Sequence, residues 1–167
     1  MNLKLRNLQD KDAALMLEWM HDPEVVRNMN ANFAEMQIED CLDFISNSQN
    51  DENNLHLAIV NDEDEYLGTV SLKHIDRENG LAEFAITVRK CTMGTGVSAQ
   101  AMDKILQIGL GKEKLSKIFW CVNIDNGRAI RFYDKNGYKK IDYIPETIMN
   151  NYNNDLLEKL VWYVFEK

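Results

Sequence analysis

The sequence predicts an α+β fold, a mostly antiparallel twisted sheet of about seven strands flanked by helices, in a single domain spanning residues 1–167. Three observations lead there. Helical periodicity occupies the first third, and the period then falls to two between residues 55 and 88. After residue 93 comes a strand–helix unit, closed by two more apolar runs. A chain of 167 residues has the length of one domain and buries roughly 70% of its unfolded surface. Its 45% hydrophobic content supplies a core, and only two prolines and eight glycines leave little for linkers.

Leu3 to Leu8 alternates as a strand does. Asp10 or Asp12 can cap a helix that carries Ala13, Met16, Leu17 and Met20 on one face. Asp22-Pro23 is a second helix start, with Asp as cap and Pro in the first turn. Asn30 to Glu35 reads as a loop, and a third short helix carries Ile38, Cys41, Leu42 and Ile45. Leu55–Val60 and Tyr66–Ile75 are strands joined by Asp62-Glu63-Asp64-Glu65, which reads as a solvated hairpin tip. Asn79-Gly80 is a hairpin signal leading into the strand Leu81–Val88.

The stretch that follows is the most informative. Met93-Gly94-Thr95-Gly96-Val97-Ser98 joins that strand to a helix in which Val97, Ala101, Met102, Ile105 and Ile108 recur at helical spacing until Gly111. Two glycines there let backbone approach a ligand, and the free amides of the first turn point at an anion such as a diphosphate. A tight turn that binds nothing needs the same glycines. Lys117–Asn123 reads as a strand, and Ala129, Ile130 and Tyr133 then share a helical face, with Lys135 in the last turn and Gly137 after it. Tyr138–Ile144 and Leu160–Phe165 are the last strands, around an Asn-rich connection from Asn150 to Asn154.

Gly94-Thr95-Gly96 followed by Asn126-x-Arg128-Ala129-Ile130-x-Phe132-Tyr133-x-Lys135-x-Gly137-Tyr138 resembles the GCN5-related N-acetyltransferases, or GNAT family, over nearly the whole chain. Leu3-Lys4-Leu5-Arg6, Leu17-Glu18-Trp19 and Asp22-Pro23-Glu24-Val25 resemble the branch of ribosomal-protein, polyamine and amino-sugar acetyltransferases. The resemblance implies the GNAT fold, with its sheet splayed between the fourth and fifth strands. It also implies transfer of an acetyl group from acetyl-CoA to a primary amine by direct attack in a ternary complex, without a metal. The acceptor stays open among a small metabolite, an amino sugar, a polyamine and a protein N-terminus.

The same resemblance implies roles for individual residues. Amides from Gly94, Thr95, Gly96, Val97 and Ser98 would hold the CoA diphosphate; Met93 stands where the family has Gln or Arg, which leaves an ancillary contact in doubt. The pantetheine arm would pair with backbone of Ile86, Thr87 and Val88 and meet Asn126 and Ala129. Asn126 also suits a helix cap, and the two roles are compatible. Tyr133 would donate a proton to the departing thiolate. Glu83, the lone carboxylate of its strand, would be the general base, directly or through water, unless it faces outward. Trp19, His21 and Phe33 either shape the acceptor pocket or simply pack.

Composition narrows the alternatives. A formal net charge of −8 lacks the basic stripe a nucleic-acid surface needs, and it suits a cationic amine. No 18-residue apolar run or signal-like segment opens the chain, so a cytoplasmic protein without a membrane span is expected, as a monomer or homodimer. Cys41, Cys91 and Cys121 lack zinc-like spacing; Cys41 and Cys121 read as core, and Cys91 lies in the loop before the glycines. Gly94 to Ala99 also fits the dinucleotide fingerprint Gly-x-Gly-x-x-Ala, but behind an antiparallel meander too few strand–helix units follow to complete it. A non-catalytic CoA-binding module on the same fold is the remaining alternative.

Overall fold

Strand β4 (Leu81–Val88) and strand β5 (Lys117–Asn123) form a parallel pair in an otherwise antiparallel sheet, and their pairing stops early. The computed structural model describes residues 2–29 and 31–167; Met1 and Asn30, the start of the expected loop, lie outside the described residues. The other strands are β1 (Lys4–Asn7), β2 (Leu55–Val60), β3 (Tyr66–Asp76), β6 (Lys139–Ile141) and β7 (Leu160–Glu166). They assemble as one seven-stranded sheet in the order β1-β2-β3-β4-β5-β7-β6. β4 and β5 pair through Leu81↔Lys117, Ala82↔Ile118 and Glu83↔Phe119 only. Beyond that point their facing edges separate, while β4 stays bound to β3 and β5 to β7. The expected splay is therefore present, and it opens at Glu83.

Alternation along the strands assigns the two faces. Leu57 and Ile59, Val70 and Leu72, Ala82 and Phe84, Ile118 and Trp120 all belong to one continuous core. It is covered by helices α4 (Val97–Leu110) and α5 (Gly127–Lys135). The opposite face is covered in two separate pieces. Ala58, Val60 and Tyr66 pack under α1 (Ala13–Met20), α2 (Pro23–Val26) and α3 (Ile38–Ser48). Phe119, Trp162 and Val164 pack under Ile144, Ile148 and Leu157, which lie in or beside α6 (Glu146–Met149) and α7 (Asn154–Leu157). Between these pieces the β4 side chains Ala85 and Thr87 stay partly exposed. We call this less covered strip along β4 the trench.

Local chemistry explains most boundaries. Asp22 Oδ1 accepts from the Glu24 amide and caps α2, as expected. Asp12 stands at the N-cap of α1 without a side-chain bond to that helix: it is buried, accepts from the Gln9 amide of the preceding turn, and takes a two-pronged hydrogen bond from Arg6, at 2.8 and 2.9 Å. The acidic hairpin tip is exposed, as expected, and two of its carboxylates also form surface ion pairs. Asp64 accepts from Arg6 and Lys11, which hold its carboxyl down to about 2, and Glu65 accepts from Arg89. On α5, Phe132 joins Ala129 and Tyr133 against the core, in place of the expected Ile130. β6 is only three residues long because the chain leaves the sheet at Asp142 and seats Ile144 in the second-face cluster before Pro145 starts α6. Among the described residues no helix is long and apolar enough to cross a membrane.

Gly68 on β3 lies across from Val88, on the edge of β4 away from the split. A Cβ there would sit 2.4 Å from the Thr87 carbonyl oxygen and 2.9 Å from Val88 Cα, both backbone atoms. Gly68→Ala must therefore push the β3–β4 ladder apart. We expect a loss of about 1–3 kcal/mol, the range for overpacking, read from urea unfolding of the variant against the parent chain.

Candidate active site

The loop before α4 is built from two left-handed glycines. Gly94 and Gly96 have φ of +78° and +87°, and a Cβ at either would meet nothing within 4 Å. Thr95 folds the loop back, its amide and hydroxyl both donating to the Thr92 carbonyl. Val97 is buried and anchors the helix start. Among the described residues, the amides of Gly94, Gly96, Val97, Ser98 and Ala99 have no hydrogen-bond partner. Open space over two glycines, beside several unpaired donors at the positive end of a helix, fits a diphosphate such as that of acetyl-CoA. Met93 has its thioether 3.4 Å from Arg128 Nη1, so a guanidinium from the start of α5 reaches the place where the family carries a polar side chain.

The split between β4 and β5 runs from this loop toward Glu83. Ile86, Thr87 and Val88 lie on β4 where its edge no longer meets β5. Asn126 caps α5: its Oδ1 accepts from the Ala129 amide at 3.2 Å, which leaves its Nδ2 free to donate. Tyr133 projects from the same helix into an aromatic group, its ring 5.5 Å from Trp120 and 5.1 Å from Tyr163. It is 7% exposed, and its hydroxyl makes no hydrogen bond among the described residues. Burial raises its pKa above the ordinary phenol value, with smaller contributions from Tyr138 and Tyr163, so the group keeps its proton throughout the neutral range. Next to it, Trp120 Nε1 is buried without a partner among the described residues.

Glu83 lies on the other face of the sheet, at the last paired position before the split. It does not face solvent, being 1% exposed. Tyr152 donates to its Oε2 at 2.6 Å, Asn151 Nδ2 donates to Oε1 at 3.3 Å, and His74 Nδ1 lies 3.0 Å from Oε1. Burial raises the Tyr152 pKa, and the Glu83 carboxylate adds to the effect, so this phenol also stays protonated. Cys121 is half-buried rather than core. Its thiol donates to the Tyr152 hydroxyl at 3.7 Å and is pushed up to about 11, chiefly by burial.

His74 reaches the carboxylate from an irregular position. Its φ of +51° falls where the β3–β4 register shifts between Lys73 and Asp76, and Asn54 Oδ1 accepts from its amide. A bulge of this kind re-aims a side chain, here toward Glu83. Tyr152, Asn151 and His74 were not legible in the sequence; the one available signal was the lone carboxylate they surround. Trp19, His21 and Phe33 lie instead with the α1–α3 cluster. Trp19 Nε1 donates to the Tyr66 hydroxyl, its ring meets Phe33 edge-on, and His21 Nε2 donates to the Met36 carbonyl. Among the described residues no hydrogen bond or ring contact joins them to Glu83 or Tyr133.

Tyr133 and Glu83 thus occupy opposite faces at the point where the sheet divides, and the split connects the faces. The acetyltransferase (GNAT) domain family matches residues 2–139. An N-acetyltransferase of Bacillus licheniformis, p20, is 29% identical over 141 residues, covering 83% of this chain and 79% of that protein. Among solved structures, spermidine N-acetyltransferase from Vibrio cholerae in complex with CoA and spermine superposes with a TM-score of 0.80 at 16% identity, covering 98% of this chain and 95% of that one. A spermidine N-acetyltransferase chimera of the Vibrio cholerae and hSSAT sequences gives 0.80 at 16% identity, covering 99% and 96%. The dodecameric Vibrio cholerae enzyme in an intermediate state gives 0.74 at 18%, covering 98% and 93%.

Proposed function

The chain belongs to the GNAT acetyltransferase family, and from that premise we propose an acetyl-CoA-dependent amine acetyltransferase in which Tyr133 is the acid and Glu83 the base. The observation that carries the assignment of roles is the split itself. It opens at Glu83↔Phe119, with Tyr133 against Trp120 on the α5 side and Glu83 at the closed end of the trench on the other. Bound acetyl-CoA supplies an activated acyl group and a thiol leaving group. Amides of Gly94 to Ser98 hold the diphosphate, and the free β4 edge at Ile86, Thr87 and Val88 orients the pantetheine, with Asn126 Nδ2 as a further donor and Ala129 as an apolar contact. The amine enters along the trench. Its proton passes to Glu83 through the Tyr152 hydroxyl, which accepts from the amine as it donates to Oε2. Tyr133 protonates the thiolate on the far face. The whole chain, 1–167, serves as one such unit, and a cytoplasmic location suits its use of acetyl-CoA.

The test is thiol release from acetyl-CoA with a panel of primary amines, paired with calorimetry of CoA binding. Turnover with at least one amine is expected; binding without turnover on any amine overturns the catalytic assignment. Gly96→Val probes the cradle separately. A β-branched residue at a φ of +87° is strained and fills the open space above the amides. CoA affinity is expected to fall at least about tenfold, or about 1.4 kcal/mol. Wild-type affinity in the folded variant, by calorimetry, removes the cradle assignment.

A further inference from the structure

Lys73 pairs with Glu83 across the β3–β4 ladder and shares its face, a register in which Cβ atoms lie about 5 Å apart and an ion pair is expected. None forms. The Glu83 oxygens are taken by Tyr152, Asn151 and His74, and Lys73 makes no hydrogen bond or ion pair among the described residues. The lysine is half-buried, so its charge is partly withdrawn from water. That charge is felt on both banks of the trench. At the His56 imidazole on β2 it adds to burial in lowering the pKa, against a larger opposing pull from Asp51; at the Cys121 thiol on β5 it opposes burial and the Glu83 carboxylate. His56 itself stands beside Ser71, Nδ1 to Oγ 2.6 Å, with Phe44 of α3 against its ring.

Buried negative charge on this face of β4 is limited, among the described residues, to one carboxylate, equal in magnitude to the charge of the lysine opposite it. Among the described residues the buried carboxylates are Glu83 and Asp12, and Asp12 is bound to Arg6 of the edge strand β1. A polyamine laid in the trench would bring a second ammonium toward an unpaired one, with one already hydrogen-bonded carboxylate to offset it. Resting on the acetyltransferase reading, we propose that the acceptor is a primary amine that also carries an anionic group, a carboxylate or a phosphate. Lys73 binds that anion while the amine faces Glu83 and Tyr152. Lysine acts here as a point charge, so either anion satisfies it.

The experiment measures kcat/KM for matched acceptors with saturating acetyl-CoA. One arm compares amino acids with their methyl esters, another compares amino-sugar phosphates with the free amino sugars, and spermidine is the cationic control. At least one anionic acceptor is expected to exceed its uncharged counterpart by roughly tenfold, and the arm in which it does identifies the anion. Lys73→Ala should erase that advantage through KM, Lys73→Glu should invert it, and Lys73→Arg should keep most of it. Calorimetry of CoA binding, expected at the parent value in all three variants, shows that they are folded. Preference for spermidine or for the uncharged counterparts overturns the proposal, as does an equal loss on charged and uncharged acceptors in Lys73→Ala. Failure to acetylate any amine, with CoA still bound, defeats instead the acetyltransferase reading beneath it.

Discussion

Tyr133→Phe is expected to lower turnover by about 10²-fold while leaving acetyl-CoA affinity near the parent value. The substitution removes one oxygen and keeps the ring that packs on Trp120, Tyr138 and Tyr163. Because that hydroxyl has no partner among the described residues, its loss leaves no buried donor or acceptor stranded, and stability should change by less than about 1 kcal/mol. The phenol has its pKa raised by burial, so it holds its proton until negative charge develops on the leaving sulfur. Phenylalanine cannot supply that proton, and water must enter to do so. Steady-state kinetics at saturating acetyl-CoA, calorimetry and a thermal melt separate the quantities. Unchanged turnover returns Tyr133 to the packing of the aromatic group.

Elements whose signals are local were legible in the sequence. β2, β4 and β5 have the boundaries expected from alternation and turn residues, and α4 runs from Val97 to the residue before Gly111, as its spacing implied. Where a distant partner decides, local signals say less. Asp12 stands at the cap position of α1 but its carboxylate goes to Arg6 and the Gln9 amide, and Asp64 lies on the exposed tip, as expected, but also meets Arg6 and Lys11. Tyr138–Ile144 has a strand's composition, yet Ile144 gains more by filling the gap beside Phe119 and Trp162 than by extending an edge.

The candidate site divides along the same line. Gly94 and Gly96 were readable because a left-handed turn before a helix calls for glycine, and Tyr133 because helical spacing set its face. Glu83 was conspicuous as a single carboxylate among apolar residues. Its surroundings were not, since Asn151 and Tyr152 lie 68 and 69 residues further along, in a connection whose asparagines suggested only a loop. His74 was equally hidden. Histidine tolerates a φ of +51° better than most non-glycine residues, but that tolerance does not locate a bulge, and the β3–β4 register shift is what turns its ring to Glu83.

Glu83→Gln should depress kcat/KM by about 10²-fold near neutral pH, with a loss that shrinks as pH rises. Glutamine keeps the shape of the cluster: its oxygen can accept from His74 and Asn151, and its amide can donate to the Tyr152 oxygen in place of the bond that Tyr152 now donates. What it lacks is the capacity to take a proton. An alkylamine with a pKa near 10 is only about one part in 10³ neutral at pH 7, so removing its proton inside the site is worth most there. Near the amine's own pKa the free base is abundant in solution, and the variant should approach the parent. Asn151 and His74 remain in place in both proteins, so a difference between the two pH–rate profiles reports the carboxylate rather than its neighbours. A profile parallel to the parent's but shifted down makes Glu83 an orienting group for Tyr152 and the acceptor. A profile superimposable on the parent's takes the base role from Glu83 altogether and leaves the trench-facing Tyr152 hydroxyl to pass the proton directly to water.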